Sequence, residues 1–305
     1  MRPTAALILA AALVASGCTK SPTPPLTAQQ LEKIPLYAMT PQQVDRYIAH
    51  VHATVPELRR RIALIGRQNI GQPYVLNLLG EFPYQVHDTL PMFSLTHSDC
   101  VVFAEHTYAM ALSRNWEEFF WMLQRIRYKD GVVGVATRNH YTEQDWNVNN
   151  AWLVKDISAE LAGPHVASYQ LKVDRARFLR TRHNTRADLP VTTSTERYVP
   201  AERVHEVLGR LADGDFVNVI STRNGEYWAS HVGLVVTAPD GSRQFLNSAE
   251  PKVREESFAA FIARTAERAA RQAKQGKPVQ RLAGFKFLRL NEPVVVPPAL
   301  PQPRP

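Results

Sequence analysis

Two cysteines, Cys18 and Cys100, are all that the 305 residues contain. That is too few for a disulfide framework, and His97 beside Cys100 has no second Cys or spaced His pair to complete a zinc site. No apolar run is long enough to span a bilayer, since the stretch 5–14 falls well short of ~20 residues. No nucleic-acid-binding motif and no internal repeat is visible. The charge is +8, but its basic residues are spread along the chain. The densest group, Arg59-Arg60-Arg61, reads as the solvated face of a helix.

The first residues carry an address. Arg2 before the apolar stretch 5–14 reads as a signal peptide covering residues 1–17. Ala15-Ser16-Gly17-Cys18 is similar to a bacterial lipobox, with Ala15 where Leu is usual. The resemblance implies a lipidated Cys18 as the mature N-terminus and membrane attachment through acyl chains such as palmitate. Thr19, rather than Asp, follows that cysteine, so in a two-membrane bacterium the expected site is the outer membrane, facing the periplasm. Loss of residues 1–17 removes only Arg2 and leaves +7, a balance that favours anionic wall or lipid surfaces. The alternative is an ordinary secretory signal.

With Cys18 assigned to lipid, Cys100 is an exported thiol without a partner. By count alone it is as consistent with a buried apolar cysteine as with a nucleophile. Its surroundings favour the second. Asp99-Cys100 precedes the amphipathic run 101–108, which places the thiol in the first turn of a helix reaching about Leu112. Free N–H groups and the helix dipole favour the thiolate there. Ser230-His231-Val232-Gly233-Leu234 reads as a strand beginning with a histidine, and His231 is the best general base. Asn247, on the return strand after the Pro239-Asp240-Gly241 turn, is the candidate orienter, with Ser248 as its substitute. Direct pairing with His231 requires a hairpin centred on 239, whereas Asp-Gly centres it near 240–241.

Residues 18–39, with three prolines between Thr19 and Thr27, read as a tether. Capping-box spacings at Thr40-Pro41-Gln42-Gln43 and Thr54-Val55-Pro56-Glu57 predict two short helices before Gly66. Further helices are expected over 116–127, 204–211 and 258–275. Strands are expected within 131–141, over 216–220, from His231 to Thr237, over 243–247 and near 285–290. Residues 292–305 read as a Pro-rich tail. Helices first, then antiparallel strands, make an α+β domain spanning residues 40–291.

Gln72-Pro73-Tyr74, Asp99-Cys100, Gly214-Asp215 before a strand, and His231-Val232-Gly233 occur in the order seen in NlpC-type papain-like cell-wall hydrolases. Arg127-Tyr128-Lys129-Asp130-Gly131, Arg138-Asn139-His140-Tyr141 and Asp145-Trp146 resemble signatures of the subfamily described as N-acetylmuramoyl-L-alanine amidase-like. The resemblance spans roughly residues 40–290. It implies a papain-like core with the nucleophile helix on an antiparallel sheet and N-terminal helical additions. It also implies Cys100 as nucleophile, His231 as base and then acid, Asn247 as the third residue (often His in relatives), and Tyr74 beside the thiol. Tyr141, Asp145 and Trp146 become candidate walls of a substrate groove, or else an aromatic core corner. The implied activity is cleavage of a peptidoglycan amide, most directly N-acetylmuramoyl-L-alanine. A γ-D-glutamyl-diamino acid endopeptidase and a non-catalytic envelope-binding protein are the alternatives. Thiol chemistry of this kind calls for no metal and no cofactor.

Overall fold

The capping box at Thr40 forms: its hydroxyl accepts from the Gln43 N–H (3.3 Å) and the Gln43 carboxamide accepts from the Thr40 N–H (2.8 Å). Pro41 then opens helix α1, Pro41–Thr54. The second expected box does not form. Thr54 ends α1 by donating its hydroxyl to His50 O (2.8 Å), and α2, Leu58–Gln68, starts from Glu57 without a side-chain cap. Gly66 lies inside α2, not after it, where Leu246, Thr107 and Phe103 press on its missing side chain. These contacts belong to a computed structural model that describes residues 26–85, 88–298 and 302. The signal segment, Cys18 and most of the Pro-rich tail lie outside the described residues.

Helices α3, Cys100–Leu112, and α4, Trp116–Arg127, have the expected bounds, set by Asp99 and Asn115 as N-caps. Helix α3 is not amphipathic, however. Every residue from Val102 to Ala111 is buried, because α2, α4 and the sheet enclose it. Its polar members are satisfied internally: Glu105 accepts from Trp146 Nε1 (3.1 Å) and pairs with Arg127 (3.4 Å), while a His106 ring nitrogen bonds Val102 O (2.8 Å).

The chain then builds one antiparallel sheet from β1 Val154–Asp156, β2 Ala167–Val173, β3 Thr192–Pro200, β4 Phe216–Arg223, β5 Glu226–Thr237, β6 Arg243–Ala249, β7 Lys252–Ser257 and β8 Arg281–Leu290. The order is β2-β3-β8-β4-β5-β6-β7, with β1 also paired to β8. Two further helices are α5, Arg175–His183, between β2 and β3, and α6, Phe258–Lys274, before β8. The last strand is central because alternate residues serve both cores: Phe285 and Phe287 on one face, Leu288 and Leu290 on the other. Helices α1–α4 cover the second face, over Phe216, Val232, Leu234 and Leu246. Helix α6 covers the first, where Phe258 and Phe261 meet Val235 and Phe245. The fold is α+β, as expected.

Several expectations need correction. The strand expected within 131–141 does not form: a 3₁₀ turn, Lys129–Gly131, precedes the segment, which carries only a lone bridge from Arg138 to Tyr128. His231 sits within β5 instead of opening it. Leu31, Leu36 and Met39, expected within the tether of residues 18–39, are core side chains. The tail is not free of the domain: Val294 packs on the core, and Gln302 bonds Gly131 O and Val133 N. The basic triplet is not a solvated face. Arg61 is buried and donates to Ala111 O, Val55 O and Pro56 O, and Arg59 reaches Asp215 (3.0 Å), leaving only Arg60 exposed. No described helix is long and apolar enough to cross a membrane.

Candidate active site

Asp99 has an extended backbone, and its Oδ1 accepts from the Val102 N–H at 2.9 Å. This cap makes Cys100 the first residue of α3. The helix end abuts the place where β5 and β6 part: their ladder runs from Thr237↔Arg243 to Leu234↔Leu246 and stops. Val232, next on the β6-facing side, therefore has an N–H outside the ladder, and this group and the first N–H groups of α3 favour the Cys100 thiolate. Burial outweighs these donors and, with the Asp99 carboxylate, pushes the thiol up to about 12.

His231 is aimed by a β-bulge. Val219 opposes His231 while Ile220 opposes Ala229, so Ser230 is the extra residue that turns the strand. His231 Nε2 lies 3.0 Å from Asn247 Oδ1. The hairpin is centred as Asp-Gly predicts, so the two residues are not directly opposite. They are diagonal neighbours on one face, within reach of long side chains. The Asn247 Nδ2 donates to Glu256 Oε1 (3.2 Å) and Phe245 O (3.3 Å). That leaves Oδ1 to accept from His231, so Nε2 carries the proton and Nδ1 keeps its lone pair. Phe261 stacks on the imidazole (6.0 Å, 8°), and Phe245 meets its edge (5.9 Å, 89°). Burial, with Arg264 and Arg254 adding, pulls His231 down to about 4 against the Asn247 bond and the Glu256 charge. Burial thus favours the neutral form of both the thiol and the imidazole.

Gly233 makes the pairing possible. An added Cβ would sit 2.6 Å from Phe245 Cε2, 2.7 Å from Leu246 O and 2.9 Å from Asn247 Cβ. Tyr74 bridges Ser98 and donates its N–H to Pro251 O. Burial above all pushes its hydroxyl up to about 12, with Cys100 and Asp99 adding to the shift. Ser248 does not serve His231. It points to the other face and bonds Ser98 (Oγ–Oγ 2.9 Å), whose hydroxyl also donates to Gln72 Oε1 (2.7 Å), tying the segment before Cys100 to β6.

The groove candidates lie apart from this constellation. Trp146 is 1% exposed and stacks on Phe216 at 4.2 Å, so it is a core ring. Asp145 pairs with Arg175 (2.6 Å) and accepts from the Tyr141 N–H (2.9 Å), while Tyr141 packs its edge on Phe178. Their polar and ring contacts do not include Cys100, His231 or Asn247. His140 bonds Val135 O (2.8 Å) and packs between Phe178 and His183. Glu256, Phe261 and the Val232 N–H went unread in the sequence. Only Phe261 had a signal, the three-residue spacing from Phe258 on one helix face.

The model of a family described as N-acetylmuramoyl-L-alanine amidase-like matches residues 64–266. Among solved structures, a Legionella pneumophila protein from a domain family of unknown function is 18% identical with a TM-score of 0.68, over 82% of this chain and 94% of that one. A Bacteroides uniformis N-acetylmuramoyl-L-alanine amidase is 18% identical with a TM-score of 0.58, over 77% of this chain and 99% of that one. At this identity the likeness is one of fold. No curated protein matches.

Proposed function

The chain belongs to the N-acetylmuramoyl-L-alanine amidase-like family, and from that premise we propose that it is a cysteine hydrolase with a papain-like, NlpC-type core that cuts an amide in peptidoglycan or muropeptides. The observation that carries this reading is a thiol at the capped start of α3, packed on the core that Val232 joins, and, next to Val232 on β5, an imidazole whose Nε2 is held by Asn247 at 3.0 Å. As the sulfur attacks the amide carbon, its proton passes to His231 Nδ1. N–H groups at the start of α3 receive the oxyanion, an interaction whose loss typically costs about 10²–10³ in rate. His231 protonates the departing amine, and the C–N bond breaks to leave a thioester. Water, deprotonated by His231, then releases the acid and restores the thiol. Family membership favours N-acetylmuramoyl-L-alanine as the bond, so the acyl part is the muramoyl group and the leaving amine is the L-alanine of the stem.

Mass spectrometry of muropeptides digested by wild type and Cys100→Ala tests this. Intact stem peptides from wild type alone support the amidase. Stems cut after D-Glu replace it with the γ-D-glutamyl endopeptidase. Cleavage by Cys100→Ala removes the thiol mechanism, and binding to sacculi without cleavage favours a binding protein. We also propose that Cys18 carries lipid and holds residues 40–291 at the periplasmic face of an outer membrane. Radiolabelled palmitate should enter wild type and not Cys18→Ser, and a Cys18→Ser protein that stays in the membrane fraction would refute the anchor.

A further inference from the structure

An amide can serve His231 in only one of its two orientations. Turned over, Asn247 would offer Nδ2 to Nε2 and force the proton onto Nδ1, the nitrogen that must accept the thiol proton. One acceptor that opposes this flip comes from outside the hairpin. Glu256, on β7, opposes Phe245 and is the diagonal neighbour of Asn247, so its carboxylate lies on the same face of the sheet. Its Oε1 accepts from Asn247 Nδ2 at 3.2 Å. Arg264, from α6, grips both carboxylate oxygens at 2.6 and 3.3 Å. The same guanidinium sits 5.1 Å over the Phe261 ring that stacks on His231. One Arg–Glu pair thus supports the imidazole from two directions.

We propose that Glu256, held by Arg264, is a positioning residue: it locks the Asn247 amide with Oδ1 toward His231 and so selects the imidazole tautomer with a free Nδ1. The inference rests on the proposed Cys100–His231 chemistry. Without Glu256, the amide samples both orientations and His231 both tautomers. Removing an outer partner of this kind typically lowers activity by about 10–100-fold.

The experiment measures muropeptide hydrolysis for Glu256→Ala in two backgrounds, wild type and Asn247→Asp. In the first, kcat should fall about 10–100-fold with KM little changed. In the second, the carboxylate at 247 has two equivalent oxygens and nothing to flip, so the same substitution should cost nothing, or help by removing a like charge. Equal losses in both backgrounds, or no loss in either, overturn the proposal. Should Asn247→Asp be inactive, ¹⁵N shifts of His231 in the Glu256→Ala protein decide: a mixture of tautomers supports the lock, and the pure Nε2–H form refutes it. Cys100→Ala run alongside separates the two ideas. If it is active, the site reading fails; if it is inactive and Glu256→Ala behaves as wild type, only the positioning role fails.

Discussion

Replacing Gly233 with alanine tests the register that brings His231 to Asn247. The new methyl carbon would lie 2.6 Å from Phe245 Cε2, 2.7 Å from Leu246 O and 2.9 Å from Asn247 Cβ. The oxygen is backbone in a paired strand and the phenyl ring is fully buried, so neither can swing away. Overpacking of this kind costs about 1–3 kcal/mol, and the smaller entropy of the unfolded alanine chain returns about 0.4–1 kcal/mol. The net loss is about 1–2 kcal/mol, or a fall in Tm of roughly 2–8 °C for a domain of this size. The strain lies against the orienting residue, so the His231–Asn247 bond should lengthen and kcat should fall about tenfold, a barrier change of about 1.4 kcal/mol. Gly209→Ala is the control: nothing lies within 4 Å of its added carbon, and it should melt and turn over as wild type. Differential scanning calorimetry and muropeptide hydrolysis read the two effects. A Gly233→Ala protein with unchanged Tm and kcat would show that β5 and β6 do not approach as described.

Two other outcomes follow from the site and the core. The His231 imidazole is lowered to about 4 by burial, so the base form persists well below pH 6.5, and the acid limb of kcat/KM should fall near pH 4. A limb near 6.5 would mean a solvated ring. By linkage, a histidine depressed in the fold contributes stability that grows as pH rises from about 4 to 6.5, because the unfolded chain binds the extra proton there; denaturant midpoints should rise over this window and flatten in His231→Ala. Arg61→Ala should destabilise the fold by about 2–3 kcal/mol, since the buried Ala111 carbonyl and the partly buried Val55 and Pro56 carbonyls lose their donor. Arg60→Ala should stay within about 0.5 kcal/mol of wild type. Equal effects of the two in urea melts would restore the solvated-face reading.

Helix starts were legible because a cap acts within three residues. Asp99 meets Val102 and Thr40 meets Gln43 through contacts that sequence spacing alone describes. The same spacing at Thr54 misled, because the chain there already belonged to α1 and its hydroxyl had turned back to His50. The amphipathic reading of α3 failed for a tertiary reason: helices on both sides and the sheet beneath leave no wet face, and Glu105 is carried inside by Arg127 and Trp146. Trp146 offered two readings, groove wall or core, and only the stacking on Phe216 chose between them.

The sequence by itself determined the candidate reagents, a thiol at a helix start and an imidazole on an apolar strand, because these depend on residue identity and local backbone. What the tertiary structure decided was their alignment. The bulge at Ser230, the splay that frees the Val232 N–H, the diagonal meeting of His231 with Asn247, and the Glu256–Arg264 pair behind it all arise from strand register and from α6 packing on the sheet. The Asp240-Gly241 turn sets the β5–β6 register locally, but the register of the other strands is a long-range property, set by which faces bury the cores.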